Sequence, residues 1–396
     1  MALPATSAVA SSLSCWKMTG WLRILVVLGC FIFAIVVYQY RQTLSGPRIT
    51  PPANVVESPS APIPLKPPVH GPRIYDMFLF NTELEMLEIR MNELDSVVDY
   101  FVVIESEETF QGHYKPLYFQ KASRSEAFAR FMPRVLHIVV PNITLAEHER
   151  HHQMGLTGPW IIEEYLRNKG VQTALETLRP SPGDWIIHSD IDELPRASAL
   201  AKIKNQKSVT SPSVLSCDLF YYSFEFKRDT PWHGPVMAQF ELAPTDVDPS
   251  SDEPVVLDKN GIRQFTKPLW EDWPNIGYRL RVLTRDPKAN IIPDACWQCS
   301  WCFSTIWQVK NKAASYSHAD HNQATFMNND WIIQHFQQGK DLFDRSSTYV
   351  YKGPPTDMPQ YVADHPEKYA YLTRRYKDPI AAFTDIPGRT DNVTRS

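Results

Sequence analysis

The stretch that most limits the possible folds is "RIYDMFLFNTELEMLEIRMNELDSVVDYFVVIE", residues 73–105. Arg73–Phe80, mostly apolar, is expected to be a buried strand. Thr82 and Glu85 have the spacing of a capping box, and Leu84, Leu87, Met91 and Leu94 then share one helical face. Val97–Glu105 is a second apolar strand. Strand, helix and strand in that order require a right-handed crossover and a parallel pair. The alternation continues with a third strand at Arg134–Val140 and a helix at Trp160–Leu178, whose apolar side is Trp160, Ile161, Tyr165, Leu166 and Val171. A fourth strand lies in "GDWIIHSDID", residues 183–192. This predicts an α/β fold with a mostly parallel sheet covered by helices. Beyond it, Ser213–Phe226 is expected as one long aromatic strand, Gly277–Thr284 as another strand, and Cys296–Phe303 as a loop. Helices are expected near Ser304–Ala314, Asp330–Gln338 and Glu367–Tyr376.

Upstream, residues 21–40, "WLRILVVLGCFIFAIVVYQY", are a candidate membrane span, whose uncharged stretch Ile24–Tyr38 is slightly short of the roughly 20 residues that cross a bilayer. Trp21, Tyr38 and Tyr40 stand where interfacial aromatics anchor such spans. A cleaved signal peptide competes with this reading, but the bulky exit "VVYQYRQ" lacks a small-residue cleavage site. Residues 1–20 are then a cytosolic tail. Residues 41–72, rich in proline and without hydrophobic periodicity, form an extended spacer. The expected head runs over 73–385, followed by a flexible tail at 386–396. Anchor, spacer and head give the layout of a single-pass type II membrane protein. A formal net charge of −4 on 396 residues gives no reason to expect nucleic acid as a partner.

Cys217, Cys296, Cys299 and Cys302 fall in the head. In an oxidising lumen they would form two disulfides, with three possible pairings. The close spacing of the last three also allows a zinc site. Asn142-Ile143-Thr144 and Asn392-Val393-Thr394 are glycosylation sequons consistent with a lumenal head.

In open α/β sheets, ligands bind beyond the carboxyl ends of the strands. Glu105 and Asp190 stand at two such ends. Extended backbone repeats its side-chain direction every two residues, so Asp190 and Asp192 are expected to share a face. Two hard carboxylates on one face suit Mg²⁺ or Mn²⁺ and leave positions open for substrate phosphates. That chemistry belongs to transfer of a sugar from a nucleotide diphosphate, in which the ion neutralises charge on the departing phosphate. Transfer in a single displacement needs a carboxylate to take the acceptor proton. Asp294 and Glu193 are the candidates, with Glu271 and Asp272 as rivals. Glu105 is a candidate for the donor ribose, and Lys115 and Arg167 for its phosphates. His318, in "SHADH", is a candidate third metal ligand, with His321 behind it. Trp297 and Trp301 are candidate platforms for a sugar ring.

The blocks "NTELEMLEIRMNEL", "FVVIESEETFQGHYKPLYF", "HSDIDELP", "YSFEF", "CSWCF", "ASYSHADH" and "GKDLFD" follow one another between residues 81 and 344. In that order they resemble glycosyltransferase family 17, over about Arg73 to Tyr376. The resemblance implies a Golgi transferase with a GT-A-like (Rossmann-like) fold. It implies UDP-N-acetylglucosamine as donor, a mannose-containing glycan or glycoprotein as acceptor, Mn²⁺ (or Mg²⁺) as cofactor, and inversion. Asp190 and Asp192 match the family's D-x-D pair and Glu193 the acid after it. The family's cysteine stretch reads G-W-H-C-S-[WF]-C-F, whereas this chain has Cys296 and Gln298 at the glycine and histidine positions. That comparison makes Cys217 a candidate partner for the additional Cys296, and the three pairings of the four cysteines stay open. A glycan-binding protein on an inactive transferase fold is the rival reading.

Overall fold

A computed structural model describes residues 71–205, 210–241, 256–257, 263–264, 269–286, 288–347, 349–376 and 383–386. The anchor expected at 21–40, the tail before it, most of the spacer, Cys15, Cys30 and the sequon at Asn392 lie outside the described residues. Among the described residues, no helix is long and apolar enough to cross a membrane.

Four strands arise where the apolar runs stand: β1 (Ile74–Leu79), β2 (Tyr100–Ser106), β3 (Val135–Val140) and β4 (Trp185–Asp190). They pair in parallel in the order β3-β2-β1-β4, so the chain steps outward to one side and then returns across β1. Both faces of β1 are buried, as its run of apolar residues, interrupted only by Asp76, requires. Ile74 and Phe78 pack with Leu87, Met91 and Leu94 of the helix Leu84–Glu93. Tyr75, Met77 and Leu79 pack on the opposite side with Tyr165, Leu166, Val171 and Leu175 of the helix Pro159–Leu178. The result is a sheet covered by helices on both faces.

The second half of the sheet departs from expectation. It contains β5 (Glu193–Pro195), β6 (Ser213–Tyr221), β7 (Ser223–Lys227), β8 (Trp232–Gln239), β9 (Asn290–Ser300) and β10 (Val350–Tyr351). The order continues from β4 through β8, β6 and β7 to β10, and each of these pairings is antiparallel. β9 lies parallel to β6 and antiparallel to β5. The sheet is therefore mixed rather than mostly parallel. The expected aromatic strand at 213–226 breaks at Tyr222, whose φ of 72° reverses the chain between β6 and β7.

Cys296–Ser300, expected as a loop, is the buried end of β9. Its cysteines form two disulfides, Cys217–Cys296 and Cys299–Cys302. Gly277–Thr284, expected as a strand, begins as the helix Ile276–Val282 and ends in a single 3-10 turn. Tyr278, Leu280 and Val282 alternate with two arginines and imitate a strand, but tertiary packing decides the outcome. The Tyr278 amide donates to Asn168 Oδ1 at 2.8 Å, and Gly277 lies so close to the long helix that a Cβ would meet the Arg167 carbonyl oxygen at 2.3 Å.

The capping box does not form. Glu83 is the N-cap residue without a side-chain cap bond, and Glu85 instead accepts from Gln308 Nε2 at 2.8 Å. The helix expected over 367–376 is one turn, Ala370–Thr373. The helices Ile306–Ala313 and Asn329–Gln338 form where expected.

Candidate active site

β4 ends at Asp190, and Ile191–Asp192 turn the chain into β5. The two aspartates therefore do not follow the alternation of one strand, and each has its own cations. Arg167, on the long helix, donates to Asp190 Oδ1 at 2.5 Å. Arg281, on the helix misread as a strand, donates to Asp190 Oδ2 at 2.8 Å. Lys312 donates to Asp192 Oδ2 at 2.8 Å and lies 3.6 Å from Glu83. Burial works against the charge on Asp190, but the two guanidiniums outweigh it and hold the carboxyl well below the usual carboxylate range. Lys312 is likewise kept charged: burial opposes its charge, and Asp192 and Glu83 more than offset that.

Glu193 is 1% exposed and points inward. Its carboxylate accepts from the Asp190 amide (2.8 Å), Trp232 Nε1 (2.7 Å) and Arg281 Nη1 (2.9 Å to each oxygen). A carboxylate held by three donors and buried is a brace for its neighbours, with no free lone pair facing a substrate. Burial nevertheless pushes its pKa up.

Beneath the turn lies Arg90, which the sequence reading missed. It is fully buried and donates to Asp76 through two nitrogens (2.8 and 2.6 Å) and to Ser189 Oγ (2.6 Å). It also donates to the carbonyls of Asp190 (3.1 Å) and Glu193 (2.6 Å). One guanidinium thus holds β1, the end of β4 and the turn together. The signal was present: Asp76 lies in mid-strand within an apolar run, and a carboxylate buried there requires a cation. Arg281 and Lys312 offered no such signal, since exposed-looking basic residues are common.

The other expected site residues are placed differently. Glu105 is buried, and its carboxylate accepts from the amides of Phe119 (3.0 Å) and Gln120 (3.4 Å) and contacts His137 Nε2 (2.9 Å). It caps the short helix Tyr118–Ala122 and presents nothing to a ribose. Lys115 lies 3.7 Å from Glu105 and lines a recess with Leu79, Asn81, Ile104, Ser106 and Leu166, at the carboxyl ends of β1 and β2. Burial pulls the Lys115 pKa down.

Asp294 is exposed and paired with Arg196 at 3.1 Å, and Arg196 also holds Asp218 and Asp357. None of the cations holding Asp190 or Asp192 takes part in this separate network. Of the rivals, Asp272 is fully buried and accepts from Asn275, and Glu271 is exposed in a short 3-10 turn. Trp297 and Trp301 are each 5% exposed and offer no open ring face. Trp297 lies beneath the Arg196 guanidinium and donates to Asp357 at 2.9 Å.

His188, in the middle of β4, is fully buried with its Nε2 3.4 Å from an Arg167 nitrogen. Burial, aided by the charges of Arg167 and Arg281, pushes its pKa down to about 3. The unfolded chain therefore takes up a proton near pH 6.5 that the folded one refuses until about pH 3. This contribution to stability is complete above pH 6.5 and is lost as the pH falls below it, at about 1.4 kcal/mol per unit. Urea midpoints measured from pH 7 to pH 4 should fall more steeply for the parent than for His188→Gln. Parallel curves would show that His188 is not the source.

Residues 65–262 and 278–374 match glycosyltransferase family 17. The β-1,4-mannosyl-glycoprotein 4-β-N-acetylglucosaminyltransferases of rat, human and mouse are 26%, 27% and 26% identical over 239 residues. That is 59% of this chain but only 40–41% of theirs, so the chain matches less than half the length of these relatives. A crystal structure of an active-site mutant of LgtC is similar over 37% of this chain and 46% of its own, at 15% identity and a TM-score of 0.22. With the family's pattern spanning most of its length, the chain belongs to glycosyltransferase family 17.

Proposed function

We propose that this protein transfers N-acetylglucosamine from UDP-N-acetylglucosamine to a mannose-containing glycan of a glycoprotein, with inversion, on a GT-A-like head held in the Golgi lumen by the span at 21–40. Membership of family 17 carries the transferase chemistry. The observation that carries the site is the acid and arginine cluster at the carboxyl end of β4, beside the recess at the ends of β1 and β2. The pairing of all four described cysteines supports an oxidising compartment.

A divalent cation fits this cluster by charge. Five carboxylates (Glu83, Glu163, Asp190, Asp192 and Glu193) face three cations (Arg167, Arg281 and Lys312), which leaves two negative charges over. Asp190 has a cation on each oxygen, so Asp192 is the better ligand, with Asp190 beside it. His318 clusters with Asp320 and His321 instead, and neither ion-sized cluster among the described residues contains Asp190 or Asp192. When bound, such an ion would offset charge on the departing diphosphate.

The chain's own residues set up the rest. Arg167 and Arg281 fix Asp190, Glu193 accepts from its amide, and Lys312 places a positive charge beside Asp192. Asp190, held ionised so strongly, is a poor proton acceptor and suits binding of charge. Incubating the full-length protein with UDP-N-acetylglucosamine, Mn²⁺ and a panel of mannose-containing glycans should give a product detectable by mass spectrometry. Asp190→Ala and Asp192→Ala should each lower its rate by about 10²-fold or more. Undiminished turnover in both variants would remove the site from the reading.

A further inference from the structure

The sequence grouped His318 with Asp190 and Asp192, but the structure gives this histidine partners of its own. His318, Asp320 and His321 lie on the turn before and within the 3-10 segment Ala319–His321. Their ligating atoms all fall within 4.8 Å of one another. His318 Nδ1 lies 3.8 Å from Asp320 Oδ1, and His321 Nε2 lies 3.5 Å from Asp320 Oδ2. These separations approach the spacing of donor atoms around one small ion.

His321 is also held as a ligand requires. His321 is 7% exposed and stacks on Phe343 with ring centroids 3.8 Å apart. Its Nδ1 meets the Tyr316 hydroxyl. That contact occupies one ring nitrogen and leaves Nε2 facing Asp320, which is how an outer-shell group orients a metal-binding histidine. Trp160 packs edge-on against His318 at 5.1 Å. The exposed side of His318 and Asp320 leaves room for further ligands.

From this geometry we infer that His318, Asp320 and His321 form a divalent transition-metal site separate from the Asp190–Asp192 turn. Two imidazoles and one carboxylate suit Mn²⁺ or Zn²⁺ rather than Mg²⁺ or Ca²⁺, which prefer oxygen alone. An ion there would also clamp the segment carrying Ser317. The Ser317 hydroxyl donates to Glu163 Oε2, and Glu163 Oε1 accepts from Arg167 at 2.7 Å. The site is thus linked to Asp190 through the side chains of Ser317, Glu163 and Arg167, yet its metal binding is measurable without any transfer assay.

The test is metal titration of the full-length protein freed of ions by chelator. Mn²⁺ binding is followed by electron paramagnetic resonance and Co²⁺ by its visible absorption. His318→Ala and Asp320→Ala change exposed residues and should leave the fold intact. Each is expected to weaken one binding event at least tenfold and to alter the Co²⁺ band, whereas the double variant Asp190→Asn/Asp192→Asn leaves that event in place. Three results would overturn the inference: no retained ion, binding indifferent to His318 and Asp320, or the same event lost from both sets of variants, which would mean one shared site.

Discussion

Replacing Arg90 by leucine is expected to destabilise the protein by about 3–5 kcal/mol, the usual cost of removing one partner of a buried ion pair. Asp76 and Arg90 are both inaccessible, so Asp76 would remain charged without a cation or would have to bind a proton. The carbonyls of Asp190 and Glu193 would lose a donor in the same step. Against a typical total of about 5–15 kcal/mol, this leaves a marginal protein. Urea unfolding measures the loss. Arg90→Leu combined with Asp76→Leu should recover much of it, because the orphaned charge is gone. The double variant should still transfer sugar poorly, since the turn at 190–193 has lost its internal support. If the single variant unfolds within about 1 kcal/mol of the parent, the pair is not the brace described.

Gly234→Ala is expected to lower the transfer rate by about 10²-fold. A Cβ at this position would lie 1.9 Å from Glu193 Oε1 and 2.4 Å from Trp232 Nε1. Glu193 cannot swing aside cheaply, because Asp190, Arg281 and Trp232 each hold it. It must move by about 1 Å, carrying the Asp190 amide and Arg281 with it, and a displacement of that size can cost 10²-fold in rate. Overpacking adds about 1–3 kcal/mol of instability. Circular dichroism and a transfer assay on the same sample separate the two effects: the expected variant is folded but slow. A variant with parental kcat/KM would show that Glu193 does not position the site.

What was legible in the sequence was local. β1 to β4 and the helix Pro159–Leu178 stand where the apolar runs placed them, because a strand buried on both faces needs such a run wherever it sits in the sheet. The antiparallel half was not legible, since which strand pairs with which is decided between distant segments. The segment at 277–284 shows the limit from the other side. Its alternation of Tyr278, Leu280 and Val282 with Arg279 and Arg281 favoured a strand, and contacts with the long helix made it a helix. That misreading also hid Arg281. The acids at 190–193 follow a strand end, and Arg167 lies on the helix just before it, whereas Arg281 and Lys312 come from helices far along the chain. Glu105 stood at a strand end as well, but its carboxylate accepts from the Phe119 and Gln120 amides of a short helix.

The distances along the chain between these partners bear on how the protein reaches its native state. Arg90 meets Asp190 across 100 residues, Arg281 meets it across 91, and Lys312 meets Asp192 across 120. Contacts of such separation form slowly, because large loops must close before any of them is rewarded. The turn at Asp190–Glu193 can take its final shape only once β1, the long helix and the segments around 281 and 312 are all in place. Refolding followed by circular dichroism should therefore run ahead of the return of ligand binding, and competence at this site reports completion of the whole head rather than of any one part.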